Sequence, residues 1–265
     1  GASAIALFGA WVGSTLAVFH GGCEREAALA VAQCATPTLA SLHDKSLLRR
    51  DQAGRYSLHE LLRQYAEDKL RADRQELTEA QARHCAYYVG FASMREDALS
   101  DARQVEARRE LASEMDNLRA AWSWAVASGQ IGALQPALEG LRVFLEHQGW
   151  YAEAVQLFAA AAEAERAAAG ASPLYAELLI RQAWFFHRQD RFEAARPLLE
   201  HSLAILRDAR PARPAEEALG RQCLANMARA VGDFTEAMQQ ARQSLALPRA
   251  AGNPRAIAAA LNSLA

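Results

Sequence analysis

Apolar residues return at helical spacing along most of the chain. Between residues 111 and 126, Leu111, Met115, Leu118, Trp122 and Val126 are separated by steps of four, three, four and four positions. These steps place the five side chains on one face of an α-helix. From residue 76 onward the chain carries only helical patterns of this kind, so the sequence predicts a mainly α protein.

A different pattern occupies one short region near the N-terminus. Residues 47–50 and 55–58 are typical of two short extended arms, and Gly54 lies in the turn between them. Helical patterns lie before the arms and after them, the later one over residues 59–70. The order helix, helix, hairpin, helix is the outline of a small winged-helix domain, which we predict over residues 1–75.

The segment after the hairpin, residues 59–70, carries a second apolar stripe. Leu61, Leu62, Tyr65 and Leu70 are spaced along one face of a helix. The spacing therefore predicts that a helix follows the second arm directly.

The C-terminal half contains an internal repeat. Tyr151, Phe192 and Phe234 are separated by 41 and 42 residues, and each is followed three positions later by alanine. An aromatic ring at the start of a helix and a small residue one turn later suit closely packed helix pairs. We predict such pairs over residues 131–265, after a helical connector over residues 76–130.

This repeat resembles the tetratricopeptide repeat family in its longer form. The resemblance implies an α-solenoid of stacked helix pairs with a groove for a protein or a small-molecule ligand. Residues 254–265 resemble the first half of a further repeat, so the array is expected to be truncated. Six polar residues of the repeats are interpreted as solvated helix faces, with a place in the groove as the alternative for some of them: Glu163, Glu165, Arg166, Arg181, His187 and Arg188.

Composition excludes several classes of protein. Hydrophobic residues make up 51% of the chain, which is enough for a sizeable core, and the net charge is -2. No global basic field exists, so direct binding of nucleic acid is not expected. Residues 4–19 are apolar but too short to span a bilayer, and no basic residue precedes them. They predict a buried helix or helix pair, and no membrane association.

The four cysteines do not form a recognisable site. Cys23, Cys34, Cys85 and Cys223 lie far apart, without a C-x-x-C pair or histidines at zinc-finger spacing. We interpret them as small buried apolar residues in a reduced, cytoplasmic protein.

Several motifs together resemble STAND signal-transduction ATPases, in particular bacterial transcriptional regulators with a tetratricopeptide sensor arm. The motifs lie in four segments: residues 16–22, 42–50, 54–66 and 114–121. The resemblance covers roughly residues 14–265. It implies a winged helix that follows a nucleotide-binding domain and precedes the repeats, with that domain as a partner in cis and ADP or ATP as its nucleotide.

The same resemblance assigns a role to His59. In that family a Met-His-Asp motif opens the helix after the wing, and its histidine contacts the ADP β-phosphate in the resting state. Leu58-His59-Glu60 stands at this place, with leucine for methionine and glutamate for aspartate. An imidazole donor at a helix N-terminus suits a phosphate. The alternative is that His59 caps its helix or packs against the wing.

Catalytic motifs are absent from the sequence. It contains no G-x-x-x-x-G-K-[ST] loop to hold phosphates and no candidate metal or nucleophile–base cluster. We therefore expect no enzymatic activity from this chain and no cofactor of its own.

The leading interpretation is a regulatory sensor fragment of a STAND transcriptional regulator, since both ends of the sequence look cut. Two alternatives stay open. One is a free-standing tetratricopeptide adaptor, and the other is a DNA-binding regulator that uses Arg49, Arg50 and Arg55 to contact phosphate. His43 and Lys45 lie beside Asp44, so the basic residues of the second alternative belong to a surface of mixed charge.

Overall fold

The computed structural model describes residues 12–52 and 54–251. Most of these residues are helical, which confirms the mainly α prediction. The chain divides into two compact units between Leu141 and Arg142. The units are described separately below, and the sequence-based boundaries at residues 75 and 130 stay predictions.

The first unit contains one strand pair among helices. Its α-helices are α1 (Val12–Thr15), α2 (Arg25–Ala32), α3 (Thr36–Asp44), α4 (Glu60–Ala72), α5 (Arg74–Ser93), α6 (Gln104–Ser113) and α7 (Met115–Ala127). The strands are β1 (Leu48–Arg50) and β2 (Tyr56–Leu58), and 3-10 helices cover Leu16–Val18, Ala98–Ser100 and Ile131–Ala137. Helix α8 (Leu138–Gln148) contains the boundary between the units.

The strands lie where the sequence predicts extended arms. They pair antiparallel, with Leu48 opposite Leu58 and Arg50 opposite Tyr56. On its other side Tyr56 forms an isolated bridge with Cys23, through N–H···O distances of 2.8 Å in both directions. Gly22 has a φ of +83°, and a Cβ there would lie 2.6 Å from the Tyr56 carbonyl oxygen. Only glycine permits this approach, so the bridge depends on Gly22.

An aromatic cluster fills the core of the first unit. The ring of Tyr88 on α5 lies 6.3 Å from that of Phe19 and 6.2 Å from that of Phe91. The imidazole of His84 packs within 4.7 Å of the Tyr88 ring. All four side chains are buried, so α5 is the central helix against which the segment containing Phe19 packs.

Two helical predictions differ from the structure. The stripe from residue 111 to residue 126 belongs to two helices, because α6 ends at Ser113 and α7 begins at Met115. The residue between them, Glu114, uses its carboxylate in the buried network described below. On α4, Ala66 and Leu70 are buried, whereas Leu61 is 71% exposed and Tyr65 is 41% exposed. Spacing alone could not reveal that this helix covers the core with its C-terminal half.

The predicted burial of the cysteines is confirmed, since Cys23, Cys34, Cys85 and Cys223 are free thiols and buried, while the cytoplasmic location stays a prediction. Burial raises the pKa of Cys34 and of Cys85 to about 11. These thiols therefore stay protonated and unreactive at neutral pH.

The second unit consists of helices joined by short loops. After α8 they are α9 (Tyr151–Ala169), α10 (Pro173–Arg188), α11 (Phe192–Asp208), α12 (Pro214–Ala230) and α13 (Phe234–Ala251). Successive helices pack on one another, which makes helix pairs. Tyr151, Phe192 and Phe234 each stand at the first position of a helix, where the repeat alignment puts them.

Small residues lie at the contacts between these helices. Ala154 and Ala195, one turn after their aromatic residues, have no exposed surface. Most of α10 is buried around Ile180 and Ala183, in a cluster that includes residues of α11 and α12. Alanine at these points lets neighbouring helices approach closely, which gives the alanine-rich composition a packing role.

Two sequence predictions fall on residues that the structure does not describe. These are the further repeat helix over residues 254–265 and the first part of the apolar stretch, residues 4–11. Across residues 12–52 and 54–251, no helix combines the length and apolar character needed to cross a membrane.

Candidate functional site

His59 lies at the start of α4, directly after β2. Its backbone is extended (φ −62°, ψ 141°), and its carbonyl accepts from the N–H groups of Leu62 at 2.8 Å and Arg63 at 2.9 Å. The side chain is exposed and makes no capping hydrogen bond. The imidazole therefore stands in solvent beside the unpaired N–H groups of a helix N-terminus, a position that favours an anion.

A cleft of about 210 Å³ is lined by the chain neighbours of His59, Leu58 and Glu60, and also by Gly21, Gly22 and Ser57, but not by His59 itself. Glu60 and Arg63 also line it and form an ion pair at 2.8 Å. The hydrogen bond from Arg63 lowers the pKa of the Glu60 carboxyl, so the pair stays charged at neutral pH. The surface around His59 thus offers one imidazole, one guanidinium and one carboxylate.

The hairpin that carries His59 is anchored to α7 by a buried ion pair. The Arg55 guanidinium donates to both carboxylate oxygens of Glu114 and, at 3.2 Å, to the carbonyl oxygen of Gly22. The side chain of Glu114 is 3% exposed and that of Arg55 is 15% exposed. A pair so enclosed fixes geometry strongly, since removing one partner leaves an uncompensated buried charge.

Asn117 extends this network. Its amide nitrogen donates to Glu114 Oε2 at 2.8 Å and to the Gly22 carbonyl at 2.9 Å. Both partners only accept, which fixes the orientation of the amide and leaves Oδ1 as the acceptor. Oδ1 then accepts from the backbone N–H of His20 at 2.8 Å and from Nε2 of His84 at 3.2 Å.

The network also fixes the protonation of His84. Because Asn117 Oδ1 accepts, Nε2 of His84 must carry the proton, and Nδ1 is an acceptor in the neutral ring. Burial lowers the pKa of His84 to about 4, an effect that the hydrogen bond to Asn117 partly opposes. His84 is therefore neutral at physiological pH.

One basic residue of the hairpin region is withdrawn from solvent. Arg55, a candidate phosphate contact in the DNA-binding alternative, is committed to Glu114. Arg50 lies over the Tyr56 ring, with its guanidinium carbon 5.6 Å from the ring centre, and Arg50, Arg49 and Lys45 are all exposed. Fewer cations therefore face solvent than the sequence offers.

The sequence does not single out the network residues Glu114, Asn117 and His84 as site residues. The segment around Glu114 and Asn117 contributed only to the resemblance. A carboxylate and an amide inside an otherwise apolar stripe are the available signal, since such groups need partners when buried.

Charged residues of the second unit are more buried than expected. Arg181 is 2% exposed and pairs with Glu216 at 2.6 Å, and Glu177 pairs with Arg213 at 3.5 Å. Glu165 is also buried and accepts from the Ser172 hydroxyl at 2.6 Å. The solvated-face interpretation is therefore wrong for Arg181 and Glu165, which link helices instead.

The remaining predicted polar positions are closer to expectation. Glu163 and Arg166 form an exposed pair one turn apart, and Arg188 is exposed. His187 is half-buried, and burial lowers its pKa. The described residues contain no group of His, Cys, Asp or Glu arranged to hold a metal ion.

Comparison with known proteins finds distant relatives among regulators. A Mycobacterium bovis protein and a Mycobacterium tuberculosis protein, both named provisionally as HTH-type transcriptional regulators, are each 36% identical over 154 aligned positions. The alignment covers 51% of this chain but only 17% of each relative's length. No protein-family profile and no solved structure matches the chain.

Proposed function

We propose that this chain is the regulatory part of a STAND-type transcriptional regulator. In this proposal the first unit contains a winged helix formed by α2, α3, the hairpin and α4. The second unit is a tetratricopeptide sensor array. The names of the mycobacterial relatives support a regulatory role, and the helix pairs with their 41- and 42-residue offsets support an array.

The observation that carries the proposal is the position of His59. Its ring is exposed at a helix N-terminus, while the hairpin directly before it is held by the buried pair of Arg55 and Glu114. An exposed imidazole next to a hairpin held in a fixed position suits a contact to the β-phosphate of ADP, which a separate nucleotide-binding domain would hold. The chain itself supplies a contact and no phosphate loop.

The mechanism is a two-state switch. With ADP bound, His59 holds the nucleotide-binding domain closed against the winged helix. A protein or small ligand in the groove of the array favours the open state, in which this contact is lost. The ligand acts only through its different affinity for the two states.

Nucleotide content tests the proposal. The full-length regulator is purified without added nucleotide, and bound ADP is quantified after denaturation. We expect near-stoichiometric ADP in the wild type and a clear loss in His59→Ala. The control is His201→Ala, which changes an exposed histidine of the second unit. Equal ADP content in all three proteins would refute the role of His59.

Direct DNA binding is a second candidate, because the relatives are named HTH-type regulators and Arg49 and Lys45 are exposed near the hairpin. A gel-shift series at low salt with this chain tests it. Phosphate contacts require binding that weakens steeply with salt and falls in Arg49→Ala. No complex at low salt would eliminate this candidate.

A further inference from the structure

A second cleft, of about 200 Å³, opens on the first unit and shares no lining residue with the cleft that Glu60 and Arg63 line. Its walls come from the Leu16–Val18 segment, α4, α5 and α7. The lining includes five polar or charged residues and one tryptophan: His20, Glu67, Arg71, Gln81, His84 and Trp124. None of the sequence motifs predicts a site here.

One wall of this cleft has an unmet hydrogen-bonding requirement. His84 is only 3% exposed, and its Nε2–H donates a hydrogen bond to Oδ1 of Asn117. Nδ1 then carries no proton and can only accept a hydrogen bond. A backbone carbonyl oxygen cannot be its partner, because that oxygen is an acceptor too. Within the part of the chain that the structure describes, Nδ1 has no hydrogen-bond partner, and His84 is one of the residues that line the cleft.

The other walls of the cleft carry little net charge. Trp124 lines the cleft, and Leu70, Leu77 and Val18 add apolar surface. Glu67 and Arg71 at the rim pair with each other at 3.2 Å, so neither is left to bind an isolated ionic group. A volume of about 200 Å³ equals that of about seven waters at about 30 Å³ each, which suits one or two fused rings.

We propose that this cleft binds a small, uncharged aromatic molecule that carries an N–H or O–H donor. The ring packs on Trp124, and the donor bonds Nδ1 of His84. The lining joins apolar side chains with the polar groups of His20, Glu67, Arg71, Gln81 and His84. In small-molecule sites, a fixed polar group such as Nδ1 of His84 sets the orientation of the bound molecule.

The cleft touches the elements that position His59. Glu67, Leu70 and Arg71 belong to α4, the helix that His59 begins, and His84 bonds Asn117 in the network of Glu114 and Arg55. A ligand here stabilises one arrangement of α4 and the hairpin. Only this regulatory consequence rests on the proposed function, and the binding proposal stands without it.

Binding is tested with indole and indene as probes. The two molecules have nearly the same shape, but indene lacks the N–H donor. The Trp124 indole cross-peak of this 265-residue chain is followed by NMR during titration. We expect saturable binding of indole and about tenfold weaker binding of indene, because indene leaves the buried acceptor unpaired.

Two variants locate the site. Ala120→Phe fills the cleft from α7 without changing His84, and it should abolish the indole shift. His84→Phe removes the acceptor, so indole and indene should bind equally. His201→Phe, in the second unit, should behave like the wild type. Absence of saturable indole binding, equal affinity of the two probes in the wild type, or full binding by Ala120→Phe would overturn the proposal.

Because no nucleotide is present in this titration, its failure is distinct from a failure of the His59 role. If indole binds as expected but His59→Ala retains ADP, the cleft is a ligand site and the switch mechanism is wrong. If indole does not bind but His59→Ala releases ADP, only the cleft proposal falls.

Discussion

The guanidinium of Arg55, in the turn region before β2, contacts the carboxylate of Glu114, which lies 59 residues later in the chain. The pair joins a two-stranded hairpin to the start of α7. Neither strand exceeds three residues, and a short isolated hairpin is marginally stable in water. The ion pair and the Cys23–Tyr56 bridge therefore hold the hairpin in place.

Breaking this pair should cost much of the stability of the first unit. We expect Arg55→Met to lower the free energy of unfolding by about 3 kcal/mol, because Glu114 is left buried and unpaired. The double variant Arg55→Met with Glu114→Met should recover part of the loss. Urea denaturation followed by circular dichroism measures both.

The matched control for that experiment is Arg49→Met, since Arg49 is an exposed arginine on β1. Its effect should stay within about 0.5 kcal/mol. A similar loss in both single variants would mean that the Arg55 pair has no special role.

Gly22 should tolerate no side chain. In Gly22→Ala the new Cβ meets the Tyr56 carbonyl oxygen at 2.6 Å, so the bridge between Cys23 and Tyr56 must open. Gly129→Ala is the control, because Gly129 also has a positive φ (+71°) but no atom within 4 Å of the new Cβ. We expect the melting temperature to fall clearly further for Gly22→Ala than for Gly129→Ala. Equal decreases in the two variants would show that the positive φ alone, and not the contact with Tyr56, causes the loss.

His84 should make the first unit sensitive to acid. Burial lowers its pKa from 6.5 to about 4, so the unfolded chain binds a proton between these values and the folded one does not. Stability is therefore complete above pH 6.5 and falls as the pH drops towards 4, by about 2–3 kcal/mol from this group.

Urea denaturation between pH 7.5 and pH 4.5 measures that slope. His84→Gln keeps a donor for Asn117 Oδ1 but does not titrate, so its profile should be flatter than that of the wild type. His20, whose charge also lowers the pKa of His84, remains in both proteins. An unchanged slope in His84→Gln would contradict the assignment.

In the second unit, the buried arginine should matter more than an exposed one. Arg181→Met leaves Glu216 without its 2.6 Å partner and should lower the free energy of unfolding by about 2–3 kcal/mol. Arg166→Met, in the exposed pair with Glu163, should change it by less than about 0.5 kcal/mol. Thermal unfolding of the two variants compares them, and equal effects would contradict the importance of burial.

The sequence predicts local structure well where periodicity and turn residues agree. The hairpin arms and the helix starts at Tyr151, Phe192 and Phe234 lie where their patterns put them. The buried face of α4 was less predictable. Leu61 is exposed and Ala66 is buried, because burial depends on which elements pack against the helix, and the spacing of apolar residues does not encode this packing.

The site was predictable only in part. The resemblance singles out His59 through Leu58 and Glu60, and the structure places it exposed at the start of α4, while its role stays a prediction. The network of Arg55, Glu114 and Asn117 joins residues far apart in the chain, and nothing in the sequence pairs them. The charge of Arg55 suggests a solvent-facing phosphate contact until the fold shows a carboxylate beside it.

The most direct test of the account is the rate of ADP release from the full-length regulator. The protein is loaded with fluorescent ADP and chased with excess unlabelled ADP, and wild type, His59→Ala and His201→Ala are compared. We expect His59→Ala to release ADP at least tenfold faster, since a hydrogen bond to a charged group contributes about 1.5–3 kcal/mol, and His201→Ala to match the wild type. Equal release rates for His59→Ala and the wild type would contradict the claim that His59 holds the resting state.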